Sequence, residues 1–401
     1  MAHSDDSLVE SAADRAVVQW LSAFDAALLA QDVDRAVDLF EPGGYWRDLV
    51  AFTWNIKTME GDAAIAQMLR ATLAQCRPSG WRLTSAAEAD GAAVSAWIAF
   101  ETSAAHGAGR VTLRNGRAQV LFTAATDLKG FEEPSGPTRP QGLSHGAQRG
   151  RDSWTDRRQA QIARLGRDDQ PHTLIIGGGQ GGLALGARLK QHGVPALIVE
   201  RNARAGDSWR SRYRSLVLHD PVWYDHMPYL PFPPNWPVFT PKDKMGDWLE
   251  AYATIFELDI WCDTVCENAV WDPDAACWTV TVLRQGEAIT LTPRELVFAT
   301  GAYGPPRQID WPGQERFSGR LIHSSAYRDG ADWRGKRCVV VGSASSAHDV
   351  AVDLWEAGAE VTMLQRSPTI VVRSETLMEL GFATYSEAAV AAGLTVDRAD
   401  M

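Results

Sequence analysis

A chain of 401 residues is too long for one ordinary core and implies two or three domains. Its 45% apolar and 22% charged content is that of a globular protein, and it has no apolar run of the roughly 18 residues a membrane helix needs. The net charge of -11 argues against a nucleic-acid partner, and the five scattered cysteines (Cys76, Cys262, Cys266, Cys277, Cys338), with no CxxC pair, argue against a disulfide framework or a zinc site and fit a reducing cytoplasm.

Residues 1–128 read as an α+β domain. The opening ten are acidic and polar, unlike a secretory leader. Val17, Leu21, Phe24 and Leu28 recur at helical spacing, with Val18 and Leu29 beside them. A shorter helix over 34–40 is expected to stop at Pro42-Gly43-Gly44. Strand-like runs follow at 48–54, 92–100, 110–114 and 117–126. The last two flank Asn115-Gly116, a hairpin signal, because a type I′ turn needs positive φ at both central positions. Helices followed by a meander of strands are expected.

Residues 129–170 read as a linker. Pro134, Pro137 and Pro140 precede a short helix around 154–165. This composition buries no core alone and is expected to wrap a neighbouring surface. Its basic stretch carries Arg149, Arg151, Arg157, Arg158, Arg164 and Arg167, and reads as solvated linker rather than a partner site.

From residue 171 onward, β-branched strands alternate with helices, the pattern of a parallel sheet. A strand over 172–176 runs into Gly177-Gly178-Gly179-Gln180-Gly181-Gly182, then a helix over 183–191, then a strand over 196–199 that ends at Glu200. This is GxGxxG in its full context. Gly177 allows the tight turn, Gly179 leaves room for a pyrophosphate, and Gly182 lets helix and strand pack closely. The helix N-terminus offers free N–H groups to phosphate, and Glu200 suits a ribose diol.

A second such unit starts with a strand over 336–341. It leads into Gly342-Ser343-Ala344-Ser345-Ser346-Ala347, a helix over 346–357 and a strand over 360–364. Ala344 replaces the second glycine. At the end of its second strand stand Arg366 and Ser367 in place of an acid, a pair suited to a 2′-phosphate and hence to NADPH.

Between the two loops, Phe317, Gly319, His323 and Tyr327, followed by Arg328, fit F-x-G-x-x-x-H-x-x-x-[YF]. This resembles the fingerprint of flavin-containing monooxygenases; the related Baeyer–Villiger fingerprint has Trp in place of Tyr327. Gly206-Asp207-Ser208-Trp209-Arg210 is similar to the family's GGxW segment along the flavin. Leu218-His219-Asp220-Pro221 is similar to its stretch near the isoalloxazine ring, and Leu230-Pro231-Phe232-Pro233 to a segment of its auxin-forming members. Cys266 matches a position whose backbone meets adenine, and Ala299-Thr300-Gly301 the crossing between nucleotide domains. The resemblance covers about residues 172 to 375. Residues 1–128 separately resemble the SnoaL/NTF2-like cone, on residues 46–54 and Thr58-Met59-Glu60-Gly61, with Arg47, Asp48 and Trp54 as candidate cone liners or, without them, a bare accessory domain.

The resemblance implies two Rossmann-like dinucleotide domains behind an NTF2-like α+β domain, with FAD bound by 171–330 and NADPH by an incomplete 331–401. FAD would be held by Gly177, Gly179, Gln180, Gly181, Gly182, Glu200, Arg201, Ser208, Trp209, Leu218, His219, Cys266, Thr300 and Gly301. NADPH would be held by Gly342, Ser343, Ser345, Ser346, Arg366 and Ser367. The implied reaction uses a C4a-hydroperoxyflavin to oxygenate a small organic substrate at nitrogen, sulfur or a carbonyl, with dioxygen as co-substrate. No nucleic acid or membrane takes part, the location is cytoplasmic, and a homodimer is left open.

No catalytic base is required, and His219, Asp220 and His323 stand as candidates. His323 either holds the crossing segment or titrates during turnover. Trp223, Tyr224, Tyr229, Phe232 and Trp236 either line the substrate side or pack a proline-rich loop. The resembled family continues beyond the point that corresponds to Met401, so an unfinished flavin sheet is expected. Two rival readings are a flavin disulfide reductase using Cys262 and Cys266, and a truncated or degenerate chain that binds nucleotide without turnover.

Overall fold

The computed structural model describes residues 11–142, 145–302, 304, 306–307 and 309–394. The opening ten residues and residues 395–401 lie outside them. The chain divides into two units, Met1–Thr138 and Arg139–Met401.

In the first unit, α1 (Ala12–Leu29) and α2 (Val33–Val37) precede β1 (Phe40–Leu49) and β2 (Ile56–Glu60). After α3 (Gly61–Cys76) come β3 (Ser79–Leu83), β4 (Glu88–Asp90), β5 (Ala93–Glu101), β6 (Ala105–Arg114) and β7 (Arg117–Leu128). Ser11 and Asp14 close a reciprocal capping box that starts α1. The sheet order is β2-β1-β7-β6-β5-β3, with β4 on β5, and β1 runs parallel to β7. Asn115 and Gly116 take φ of 50° and 76°, as the hairpin between β6 and β7 requires.

Several expectations need correction. Helix α3 interrupts the expected meander. Helix α2 ends at Val37, and Pro42-Gly43-Gly44 lies inside β1 at its register shift against β7, where a bulge tolerates proline and glycine. The strand expected over 48–54 stops at Leu49, because the turn after it folds around Asp48. That carboxylate accepts from the backbone of Phe52 and Thr53 and from the hydroxyls of Thr53 and Thr123. Asp48 is therefore a fully buried structural anchor and not a cone liner. Arg47 is exposed and bonded to Thr58, and Trp54 is 64% exposed. The interior is filled instead by contacting rings of Trp20, Phe24, Phe40, Trp46, Phe52, Trp81 and Phe100. Each fully buried ring contributes roughly 1.5–3 kcal/mol.

The second unit begins with α4 (Trp154–Arg164). It continues through β8 (Thr173–Ile176), α5 (Gln180–Gln191), β9 (Ala196–Val199), α6 (Asp207–Arg210), α7 (Lys242–Ile255) and β10 (Ile260–Trp261). A three-stranded antiparallel insertion follows, β11 (Thr264–Asp272), β12 (Cys277–Arg284) and β13 (Glu287–Leu291), and then β14 (Glu295–Phe298). The chain next forms β15 (Arg337–Val341), α8 (Ser345–Glu356) and β16 (Glu360–Leu364), and closes with α9 (Ser374–Leu380), a short turn of helix at Phe382–Tyr385 and α10 (Glu387–Ala391).

The parallel sheet has the order β10-β9-β8-β14, the start of a doubly wound nucleotide fold. Its central strands β8 and β9 are short and largely buried on both faces, as Thr173–Ile176 illustrates, while the edge strand β14 is partly exposed. A second, two-stranded parallel sheet pairs β15 with β16. The linker helix α4 is not simply solvated. Arg158 forms a partly buried ion pair with Asp259 at 2.7 Å, Trp154 donates to Glu257, and Leu165 enters the core beside Leu174 and Trp261.

Candidate nucleotide-binding cleft

At the end of β8 the chain turns sharply. Gly177 has φ of 114°, and a Cβ there would lie 2.4 Å from the Ala299 carbonyl oxygen at the end of β14. A Cβ on Gly182 would lie 1.9 Å from the Gly177 carbonyl oxygen. Both glycines are thus forced by backbone contact within the protein. Gly179 and Gly181 differ, since a Cβ on either would meet nothing within 4 Å. Their space opens outward at the N-terminus of α5, where a phosphate would lie.

Glu200, at the end of β9, is buried and held on both oxygens. Gly178 N–H donates to Oε2 at 2.7 Å, and the Asn202 backbone and side-chain amides donate to Oε1 at 2.8 and 2.6 Å. Arg201 beside it is exposed. Trp209, on α6, donates its indole N–H to the Gln180 side chain at 3.2 Å, which joins the segment after Gly206 to the first loop. Ser208, next to it, is exposed. Thr300 and Gly301 are exposed just past the Ala299 that crowds Gly177. Cys266 lies on β11 at a bulge, two residues after Thr264, whose N–H donates to the Glu200 carbonyl. Leu218 is the exception: its side chain packs in the core with Ile175, Leu183 and Leu249, so only its backbone could meet a ligand.

The second loop repeats the first. Gly342 has φ of 128°. Ala344, at the N-terminus of α8, has φ -82° and ψ 170°, and Gly179, at the same point of the first loop, has φ -80° and ψ -175°. That conformation is extended, so the alanine causes no backbone strain. Ser345 and Ser346 open the helix, and Arg366 and Ser367 are exposed beyond β16. The hydroxyl of Thr369 donates to that of Ser343 at 2.9 Å, drawing the segment after Arg366 back to the loop.

A family model described as pyridine nucleotide-disulphide oxidoreductase matches residues 174–381, both loops included. The chain belongs to this family. An indole-3-pyruvate monooxygenase of Oryza sativa subsp. japonica is 37% identical over 206 residues, 51% of this chain and 50% of that protein. Another, from Oryza sativa subsp. indica, is 35% identical over 208 residues, 50% and 49%. The chain spans about half the length of the curated relatives it matches. A solved flavin-containing monooxygenase from Stenotrophomonas maltophilia overlaps 53% of this chain and 63% of its own at 23% identity, with a TM-score of 0.47, a likeness too loose to carry an argument.

Within this member of the pyridine nucleotide-disulphide oxidoreductases, the thiols of Cys262 and Cys266 are both free and both pushed up by burial. A reactive thiol needs the opposite shift. The flanking candidates also find their places. His323 Nδ1 accepts from the Ser325 N–H at 3.1 Å and caps a short helical turn at Ser324–Ala326. Of the five aromatics, Phe232 and Trp236 pack with Trp248 of α7, Tyr229 packs on Phe256, and Trp223 and Tyr224 meet Phe382.

His219 does not stand alone. Its Nε2 lies 2.8 Å from Asp349 Oδ2 on α8, and Asp220 beside it is exposed. The sequence reading missed Asp349, Tyr213 and Asn202. Asn202 had a local signal, two residues past Glu200. Tyr213 and Asp349 meet across the chain, and no spacing announces that.

Proposed function

We propose that this chain is the nucleotide-binding part of an FAD- and NADPH-dependent monooxygenase acting on a small organic substrate with dioxygen. The observation that carries the reading is the contrast among the loop glycines: a Cβ on Gly177 or Gly182 would meet the protein's own backbone, while one on Gly179, at the N-terminus of α5, would meet nothing within 4 Å and leaves room for a phosphate. The names of the curated relatives support the same reaction class.

In this proposal the FAD part is 171–330 and the NADPH part 331–401. The N-terminus of α5 orients the FAD pyrophosphate, Glu200 accepts from the ribose, and Trp209 and Gln180 border the flavin. Gly342, Ser343, Ser345 and Ser346 receive the NADPH pyrophosphate, and Arg366 with Ser367 receives the 2′-phosphate. Bound together, the two cofactors supply the reducing equivalents and the activation of dioxygen for oxygen insertion. The protein's share is orientation and exclusion of water. His323 has a holding role, in keeping with its capping hydrogen bond.

The first unit is proposed as an NTF2-like accessory domain without a catalytic cone, since aromatic rings occupy its interior. A cytoplasmic location belongs to the same proposal; among the described residues no helix is long and apolar enough to cross a membrane.

The test is direct. The purified chain, incubated with FAD, is examined for a flavin spectrum, and NADPH consumption in air is then followed with and without indole-3-pyruvate or a simple sulfide. Flavin retention with substrate-stimulated NADPH consumption is expected. A chain that takes up no FAD contradicts the proposal, and reduction of a disulfide in place of oxygen use would transfer the chain to the reductase reading.

A further inference from the structure

Two carboxylates one turn apart on α8, Asp349 and Asp353, each accept from a tyrosine hydroxyl outside the helix. Asp353 accepts from the Tyr327 hydroxyl, and from Gly330 N–H at 2.9 Å. Asp349 Oδ2 accepts from the Tyr213 hydroxyl at 2.5 Å and lies 2.8 Å from His219 Nε2. Tyr213 and Tyr327 are both buried, with ring centroids 6.2 Å apart, so the two contacts form one seam. Asp353 sits near the far end of α8. Asp349 sits one turn from Ser345 and Ser346, the residues that open the helix at the second loop.

We propose that Asp349 is a positioning residue for the nucleotide cleft: by holding Tyr213 and His219 on one oxygen, it fixes the segment 213–219 against the helix of the second loop. Its purpose rests on the two-nucleotide reading above; its geometry does not. Movement of α8 that follows the second nucleotide would pass through this carboxylate to the segment carrying Leu218 and His219.

The charges around the pair favour it. Burial alone would raise Asp349, but the hydrogen bonds from His219 and Tyr213, with His348 nearby, hold it below the ordinary carboxylate value. His219 is raised by its hydrogen bond to Asp349 against the effect of burial, with Asp220 adding to the rise and Arg212 opposing it. Both donors therefore face an ionised acceptor near neutral pH, which strengthens each bond. The hold is firmest while His219 is protonated and loosens as pH rises through its pKa, which lies above the ordinary 6.5.

Hydrogen exchange of the full chain without cofactor tests the hold itself. Asp349→Asn should speed amide exchange across 213–219 by about tenfold, the scale of one lost charge-assisted hydrogen bond. Tyr213→Phe, which keeps the ring and removes one donor, should produce a smaller rise in the same segment, and Asp349→Glu should recover part of the protection. With FAD bound, Asp349→Asn should slow flavin reduction by NADPH and flatten its pH profile above the ordinary histidine value of 6.5, with FAD content unchanged. Wild-type exchange over 213–219 in both Asp349→Asn and Tyr213→Phe would overturn the proposal, as would a slowing of flavin reduction that keeps the wild-type pH profile. A chain that takes up no FAD contradicts the proposed function, and the exchange rates then decide the role of Asp349 by themselves.

Discussion

The Gly178 N–H donates to Glu200 at 2.7 Å, so the acid at the end of β9 is fastened to the glycine loop that precedes α5. Loop and acid act as one rigid piece. Asn202 fastens the other oxygen of the same carboxylate, which fixes the direction of the remaining lone pairs. Replacing Glu200 by Ala leaves the buried Gly178 N–H without an acceptor. A loss of about 1–3 kcal/mol in stability is expected, read from urea unfolding. Unchanged stability would mean that the loop holds its shape without the acid.

The loop glycines separate open space from packing. Gly179→Val keeps an ordinary φ and meets nothing within 4 Å, so thermal stability should stay near wild type while FAD is lost. Gly182→Ala places a methyl group 1.9 Å from the Gly177 carbonyl oxygen, and a cost of about 1–3 kcal/mol or more is expected. Melting temperature and flavin content, measured on both variants, check the pair. The reverse pattern would place the ligand elsewhere.

Asp48 holds the first unit's turn through Phe52, Thr53 and Thr123. Asp48→Ala strands several buried donors at once and should cost about 3–5 kcal/mol. Circular dichroism of the variant should show early melting. Wild-type melting would return Asp48 to the list of functional candidates.

The pH dependence of stability carries a marker at Asp225. Burial, with the Asp220 charge, pushes its carboxyl up to about 6 from 3.8, and its Oδ2 has no hydrogen-bond partner. The folded state thus keeps a proton that the unfolded chain gives up between those values. Stability from this group is present below about pH 4 and falls as pH rises through 6. Asp225→Asn should therefore gain on wild type by about 1–2 kcal/mol at neutral pH, the linkage value reduced for solvent access, and little at pH 4. An equal difference at both pH values would contradict the assignment.

Arg366 stands exposed past β16, at the place where β9 of the first glycine-loop motif is followed by Glu200. Arg366→Ala should weaken NADPH binding by about tenfold while leaving NADH nearly unchanged. Titration of each nucleotide against the variant checks it, and equal weakening would remove the 2′-phosphate role.

The two glycine loops of the second unit were legible because their signals are local, whereas helix α7 and the antiparallel strands β11–β13 were not anticipated. Gly177, Gly179 and Gly182 sit within one turn of chain, and each strand or helix beside them has a plain period. The two loops were found in this way, and their strands run within a residue or so of the expected bounds. What failed was non-local. Pro42-Gly43-Gly44 reads as a helix stop, yet pairing with β7 carries it into a strand. The 48–54 run reads as a strand, yet the Asp48 carboxylate bends it into a turn. Helix α3 escaped notice because its Gly61 start carries no side-chain cap. Asp349 escaped because Tyr213 and His219, its two partners, are set by tertiary packing and not by spacing.

The measurement closest to the central claim is anaerobic reduction of the FAD-loaded chain by NADPH, followed through the loss of flavin colour. If both loops serve one cleft, NADPH bleaches the flavin, and it does so faster than NADH. A flavin that stays oxidised with NADPH shown to be bound would mean that the two loops do not bring nicotinamide to flavin.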